Sequence, residues 1–232
     1  MKKITVVLLA SVTLLVSCVD ISGGTPSASV NADTDGSEQG EIYKTYRFSE
    51  NDESFLAETV FAGDSLAADL SGFGLAQTVI SDTEMSPETM GDYKSQDGPD
   101  IITALINSDA AHVAIMFRAG NESGATACVD YTKRLRAWVP NISVYVLSAP
   151  PVSENEKNGA INEYNLFLKR AIEELGDDKT HYVEIGVELK NASGALKSMY
   201  ATEAGSDRLT EKAYHAVLWQ LCRYAESEQP AN

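Results

Sequence analysis

The sequence predicts an α/β domain built on a five-stranded parallel sheet with helices on both faces. Three observations carry that expectation. Short apolar runs alternate with helical patterns along the folded part of the chain, the connections between them are short, and the runs are apolar throughout, as strands covered on both faces must be. The pattern places strands over 59–62, 77–81, 112–117, 143–148 and 182–185. Helices are expected over 66–70, 99–107, 125–138, 158–175 and 210–225. Thr210 precedes Ala213, Tyr214, Val217, Leu218 and Leu221, so its hydroxyl can cap a helix whose apolar positions recur at three-to-four spacing.

Upstream of this region the chain opens with Lys2-Lys3, an apolar run over 4–16, and Leu15-Val16-Ser17-Cys18. A basic start, a short apolar stretch and small residues before a cut describe a secretory signal over 1–17, because about 20 apolar residues are needed to cross a bilayer. The Leu-Val-Ser-Cys box is similar to a bacterial lipoprotein signal, which implies that Cys18 becomes the lipidated, palmitate-bearing first residue. The protein is then expected on the extracytoplasmic side of the cell membrane. Residues 18–51, rich in Ser, Gly, Thr, Asp and Glu, have too little apolar surface to offset the entropy of ordering, and read as a tether. The domain is expected over 52–226 and a tail over 227–232.

The formal charge is −16, and loss of Lys2 and Lys3 with the signal takes it to about −18. A polyanion of this kind repels nucleic acid and anionic lipid, so the lipid and not a basic patch is the expected hold on the membrane. Cys128 and Cys222 both fall in helical segments, where buried free thiols are common, and sequence alone leaves their pairing open. No Cys/His cluster has metal-ligand spacing, and no cofactor is implied.

In a sheet of this kind ligands bind beyond the carboxyl ends of the strands. The first strand runs into Gly63-Asp64-Ser65-Leu66 and a helix, which presents Ser65 at a strand-to-helix turn. Arg118 follows the third strand at the same edge, and the loop before Thr210 lies there too.

With Gly-Asp-Ser-Leu and this strand order, the domain resembles the SGNH or GDSL hydrolases, a flavodoxin-like family of esterases, lipases and carbohydrate deacetylases. Residues 113–117, 158–165, 195–200 and 209–214 resemble the segments around that family's later conserved blocks, so the resemblance spans nearly the whole folded region. It implies a three-layer sandwich and a site with a serine nucleophile, an oxyanion hole that includes an asparagine, a histidine base, and an aspartate three residues before that histidine. Each part has its reason: a hydroxyl needs a base, the base needs an orienting carboxylate, and the developing oxyanion needs preorganised donors.

Ser65 takes the nucleophile position. Laid on 205–210, the family's Asp-x-x-His-Leu-Thr pattern puts Gly205 at the aspartate and Arg208 at the histidine, and an arginine cannot accept a proton. The family's Gly-x-Asn-Asp falls on Arg118-Ala119-Gly120-Asn121, where a shift of one residue would make Asn121 the oxyanion donor. The glycine expected after the second strand is missing from Ser81-Asp82-Thr83-Glu84-Met85. His215 falls inside the last helix, and His112 and His181 fall at the amino ends of strands, away from Ser65. Asp207 and Glu203 are the carboxylates that could substitute for the base, and Asp64 is expected to hold the turn.

Two expectations follow. Ser65, Asn121, Arg118 and Arg208 form an anion-binding site for a small molecule or acidic glycan, or the two arginines pair with neighbouring carboxylates. The protein is weakly active or non-catalytic, or else it is a serine esterase or O-acetyl hydrolase acting on cell-envelope or extracellular carbohydrate esters.

Overall fold

The computed structural model describes residues 46–93, 100–108, 110–118 and 120–228. The signal segment, Cys18, the tether as far as residue 45, Pro99 and the tail from residue 229 lie outside the described residues. The elements run α1 (Glu50–Ala57), β1 (Thr59–Gly63), α2 (Ser65–Gly72), β2 (Thr78–Ser81), α3 (Ile101–Ile106), β3 (His112–Met116), α4 (Glu122–Trp138), β4 (Ser143–Leu147), α5 (Asn158–Glu173), β5 (Thr180–Val183) and α6 (Glu211–Glu228). All strand pairs are parallel, in the order β2-β1-β3-β4-β5. The chain leaves β1 toward one edge to make β2, then returns to make β3 on the other side of β1. The strand order therefore reverses between β1 and β3, the point at which sheets of this kind bind ligands beyond the carboxyl ends of the strands.

The sheet divides the interior in two. Val60, Ala62, Val113, Ile115, Val144 and Val146 point to one face, where α3, α4 and α5 bury Leu105, Leu135, Ile161 and Leu168 against them. Phe61, Ala114, Met116, Tyr145 and Leu147 point to the other, covered by Leu66 and Leu70 of α2 and by Tyr214, Val217 and Leu221 of α6. Every residue of β1 is buried, which is why it reads as a continuous apolar run and not as an alternation. Cys128 belongs to the first core and Cys222 to the α6 side, so the sheet stands between the two thiols and both are free. Burial pushes each thiol up to about 12.

The strands and main helices fall within a few residues of their expected positions, and Thr210 Oγ1 accepts from Ala213 N at 3.3 Å at the start of α6. The start of the domain differs. The expected boundary at residue 52 falls inside α1, whose first turn is closed by a capping box between Ser49 and Asp52. Tyr46, Phe48, Phe55 and Leu56 pack onto the α6 side of the core. The helix escaped the sequence pattern because most of its residues are polar and because Asp52 is buried against Arg223, where a carboxylate would be read as exposed. At the other end α6 continues to Glu228, and β5 starts two residues early, which puts His181 within the strand.

One ion pair pins the corner between α4, β4 and β5. Arg136 Nε donates to Asp177 Oδ2 at 2.7 Å, and its Nη1 donates to the carbonyls of Pro140 and Ile142. The bonds from Arg136 hold the Asp177 carboxyl well below the usual carboxylate range, with Thr180 Oγ1 and Lys179 N assisting against burial. A carboxyl depressed in the folded state adds stability above its unfolded value near 4 and gives it up as pH falls below that value. Arg136→Met should therefore cost about 2 kcal/mol at pH 7, roughly 4–8 °C in thermal midpoint. By pH 2.5 the gap to the parent should narrow; a gap independent of pH would show that the carboxylate is not what the arginine stabilises.

Candidate active site

The turn after β1 is dictated by space. A Cβ on Gly63 would lie 1.8 Å from the carbonyl oxygen of Met116, so only glycine lets the ends of β1 and β3 approach this closely. Asp64 then caps α2, its Oδ1 accepting from Leu66 N at 2.8 Å. Its other oxygen accepts from Arg118 N at 3.0 Å, which ties the turn to the residue just beyond β3. Burial raises the Asp64 carboxyl, although these two amides work in the opposite direction. Asp82 completes the edge, its amide donating to Gly63 O at 3.3 Å.

Ser65 is thereby set at the first position of α2, at the carboxyl edge and beside the strand-order reversal. Its Oγ accepts a hydrogen bond of 2.9 Å from Arg118 Nε. The same guanidinium donates from Nη1 to Asp207 O at 2.8 Å and from Nη2 to Asp69 Oδ2 at 3.3 Å. Arg208 Nη2 meets the second oxygen of Asp69 at 3.3 Å, and Tyr214 OH donates to Asp69 Oδ2 at 3.2 Å. Burial, followed by the Asp69 charge, drives the Tyr214 phenol well above its ordinary value, so it stays a donor. The loop carrying Asp207 is fastened in turn, since Ser153 N donates to Asp207 Oδ1 at 3.2 Å and Ser153 Oγ to Ser206 O at 2.6 Å.

Arg118 thus bridges the serine hydroxyl to the segment on which the resemblance lays the aspartate and histidine. A guanidinium can stabilise negative charge but cannot take a proton, and here it occupies a lone pair of the oxygen that would attack. Among the described residues, no carboxylate or imidazole bonds to Ser65 Oγ. The local charges nearly cancel: Arg118 and Arg208 stand against Asp64, Asp69 and Asp207. Of the two alternatives left open by the sequence, the arginines do pair with a carboxylate, and it is the same one. Arg208 keeps 65% of its side chain exposed, whereas Arg118 keeps 29% and Asp69 14%.

The remaining sequence candidates lie elsewhere or face elsewhere. Asn121 is the N-cap of α4, its Oδ1 accepting from Gly124 N at 2.8 Å. Gly120 is packed so closely that a Cβ would come within 2.6 Å of the Tyr164 ring. Gly205 has φ +78°, a turn conformation that favours glycine and offers no carboxylate where the family pattern places one. His215 lies on α6 with Nε2 3.9 Å from Glu211. His112 begins β3, and His181 stacks on Tyr145 at 5.2 Å, both at the amino ends of the strands. Asp69 and Tyr214 went unread. Asp69 lies four residues after Ser65, one helical turn on, and so shares its face; that spacing was the available signal.

Comparisons with family models and with curated proteins give no match at the level of sequence. Solved structures do match. A Bacteroides fragilis protein assigned as an acylhydrolase aligns with a TM-score of 0.54 and 16% identity, over 74% of this chain and 88% of its own. A family 3 carbohydrate esterase from Clostridium thermocellum aligns at 0.53 and 13%, over 73% and 95%. A carbohydrate esterase of the same family from Talaromyces cellulolyticus gives 0.53 and 12%, over 73% and 96%. The doubly wound sheet with a serine at its switch point is therefore the SGNH-hydrolase fold. At these identities the likeness speaks for the fold, and the chemistry has to be argued from the side chains.

The triple engagement of Asp69 makes it the residue whose loss should loosen the site most. Asp69→Ala should destabilise the protein by about 2–3 kcal/mol in urea unfolding, because two guanidiniums and a phenol lose their acceptor. Asp69→Asn keeps the shape and one acceptor oxygen and should cost about 1 kcal/mol. Equal losses would mean that the charge contributes nothing.

Proposed function

We propose that the protein is an SGNH-fold lipoprotein whose serine site has been turned from catalysis to a fixed polar contact. The observation that carries this reading is the 2.9 Å hydrogen bond from Arg118 Nε to Ser65 Oγ. Ester hydrolysis through Ser65 needs a group that removes the hydroxyl proton and later returns it to the leaving group. The residue at that place is a permanent cation whose other two nitrogens already donate to Asp207 O and Asp69.

The expected alternative, a serine esterase or O-acetyl hydrolase, gives the decisive measurement. The purified protein and its Ser65→Ala form are compared on short-chain aryl esters and on acetylated oligosaccharides. Equal rates, indistinguishable from buffer, are expected; turnover that disappears with Ser65→Ala would overturn the proposal.

A binding role for an anionic small molecule or acidic glycan group rests on Arg208, which is the more exposed guanidinium at this edge. Such a ligand would compete with Asp69 for it. Phosphate or acetate should raise the thermal midpoint of the parent but not of Arg208→Ala, since a ligand that binds only the native state stabilises it. Anchoring through Cys18, facing out of the cytoplasm, completes the proposal. It is supported by the Leu-Val-Ser-Cys box and is tested by palmitate labelling, which should vanish in Cys18→Ala.

A further inference from the structure

At the amino ends of the strands, opposite the serine, five rings are packed together. Phe55 of α1 lies 4.7 Å from the ring of His112 and 5.6 Å edge-on to Tyr145. Tyr145 contacts His112 at 5.8 Å and His181 at 5.2 Å, and Tyr224 of α6 closes the group against His181 at 5.8 Å. His112 is the piece on which α1 sits. Its amide donates to Glu58 O at the end of that helix at 3.2 Å, while its ring lies beneath Phe55.

The imidazole is seated as a neutral ring. Its Nδ1 is buried and has no hydrogen-bond partner among the described residues. In the neutral ring that atom can be an acceptor left unpaired at modest cost, but in the charged ring it must be a donor, and a buried N–H of a cation without an acceptor is far more costly. Clefts of about 300 and 250 Å³ flank the ring, and charged groups approach it from each neighbouring element. Glu58 comes from the cap after α1 and Asp52 from within α1, Cys222, Glu226 and Glu228 from α6, and Asp178 from the turn before β5. Asp52 and Glu226 are bound by Arg223, and Glu228 lies 3.9 Å from His181 Nδ1. None of them meets His112 Nδ1.

We infer that His112 is an acid-sensitive latch for α1: when its ring takes a proton, Phe55 and α1 leave their seat while the β3–β4 core stays formed. Burial lowers the imidazole below its ordinary value and outweighs the Glu58 charge, which favours the cation. His181 is lowered by burial as well, but the Glu228 charge 3.9 Å away favours its cation, so it is the less sensitive of the pair. A histidine depressed in the seated state contributes fully above the released value of about 6.5, and its contribution is lost as pH falls below that value. At pH 5.5 the released state should therefore gain over the seated one, by up to about tenfold.

The test is hydrogen exchange on the full chain at pH 7.5 and 5.5, expressed as protection factors. Protection over residues 50–57 should fall, by up to about tenfold, on acidification while that of β3 and β4 holds. His112→Phe, which keeps a ring and removes the proton site, should abolish the fall, and His181→Phe should retain it. The inference is overturned if the parent shows no selective fall, if His112→Phe still shows it, or if His181→Phe loses it. Should His112→Phe not fold, the parent decides the matter by NMR. A His112 ring that titrates below 6.5 together with the α1 amides supports the latch, and an ordinary value or α1 amides that do not follow overturns it.

Discussion

The geometry of the serine edge depends on the Asp64 carboxylate, which accepts one amide from α2 and one from the residue beyond β3. Through it the first turn of α2 and the end of β3 become one rigid corner. Gly63 makes that corner possible by letting the two backbones meet at a distance no side chain tolerates. Once Arg118 N is fixed by Asp64, the Arg118 side chain starts within reach of Ser65, and the remaining contacts with Asp69 and Asp207 follow from its length. The network around the serine is thus a consequence of backbone placement before it is a matter of charge.

Arg118 stands where the family resemblance lays a glycine. Its guanidinium reaches from the Ser65 hydroxyl to the carbonyl of Asp207. One residue at the end of β3 therefore holds both the serine hydroxyl and the loop around Asp207. Asp207, whose carboxylate could have served instead, turns its side chain to Ser153 N and its carbonyl to Arg118.

Most of the architecture was legible because it is written in periodicity. Buried parallel strands leave apolar runs, and α6 repeats its apolar residues at helical spacing, so both could be read from the order of residues. Ser65 was legible because a strand, a glycine, a capping aspartate and a helix occur in that order. What escaped depends on contacts between residues far apart in the chain. The polar α1 is stabilised by a buried carboxylate that meets Arg223 of α6, 171 residues away, and no local window reports that. Asp69 draws partners from positions 118, 208 and 214, and only the folded sheet brings those together. The sequence left two outcomes for the arginines because the deciding quantity was a third residue's position.

The partition of the interior by the sheet has a practical meaning for the two thiols. Both are buried, Cys128 on α4 within the first core and Cys222 on α6 at the back of the cleft beside Asp52, and the sheet keeps them apart. A thiol reagent in the native solution therefore meets Cys128 only when the first layer breathes and Cys222 only when the second does. The chain carries a pair of independent clocks, one for each side, which would show whether its halves come apart together or in turn.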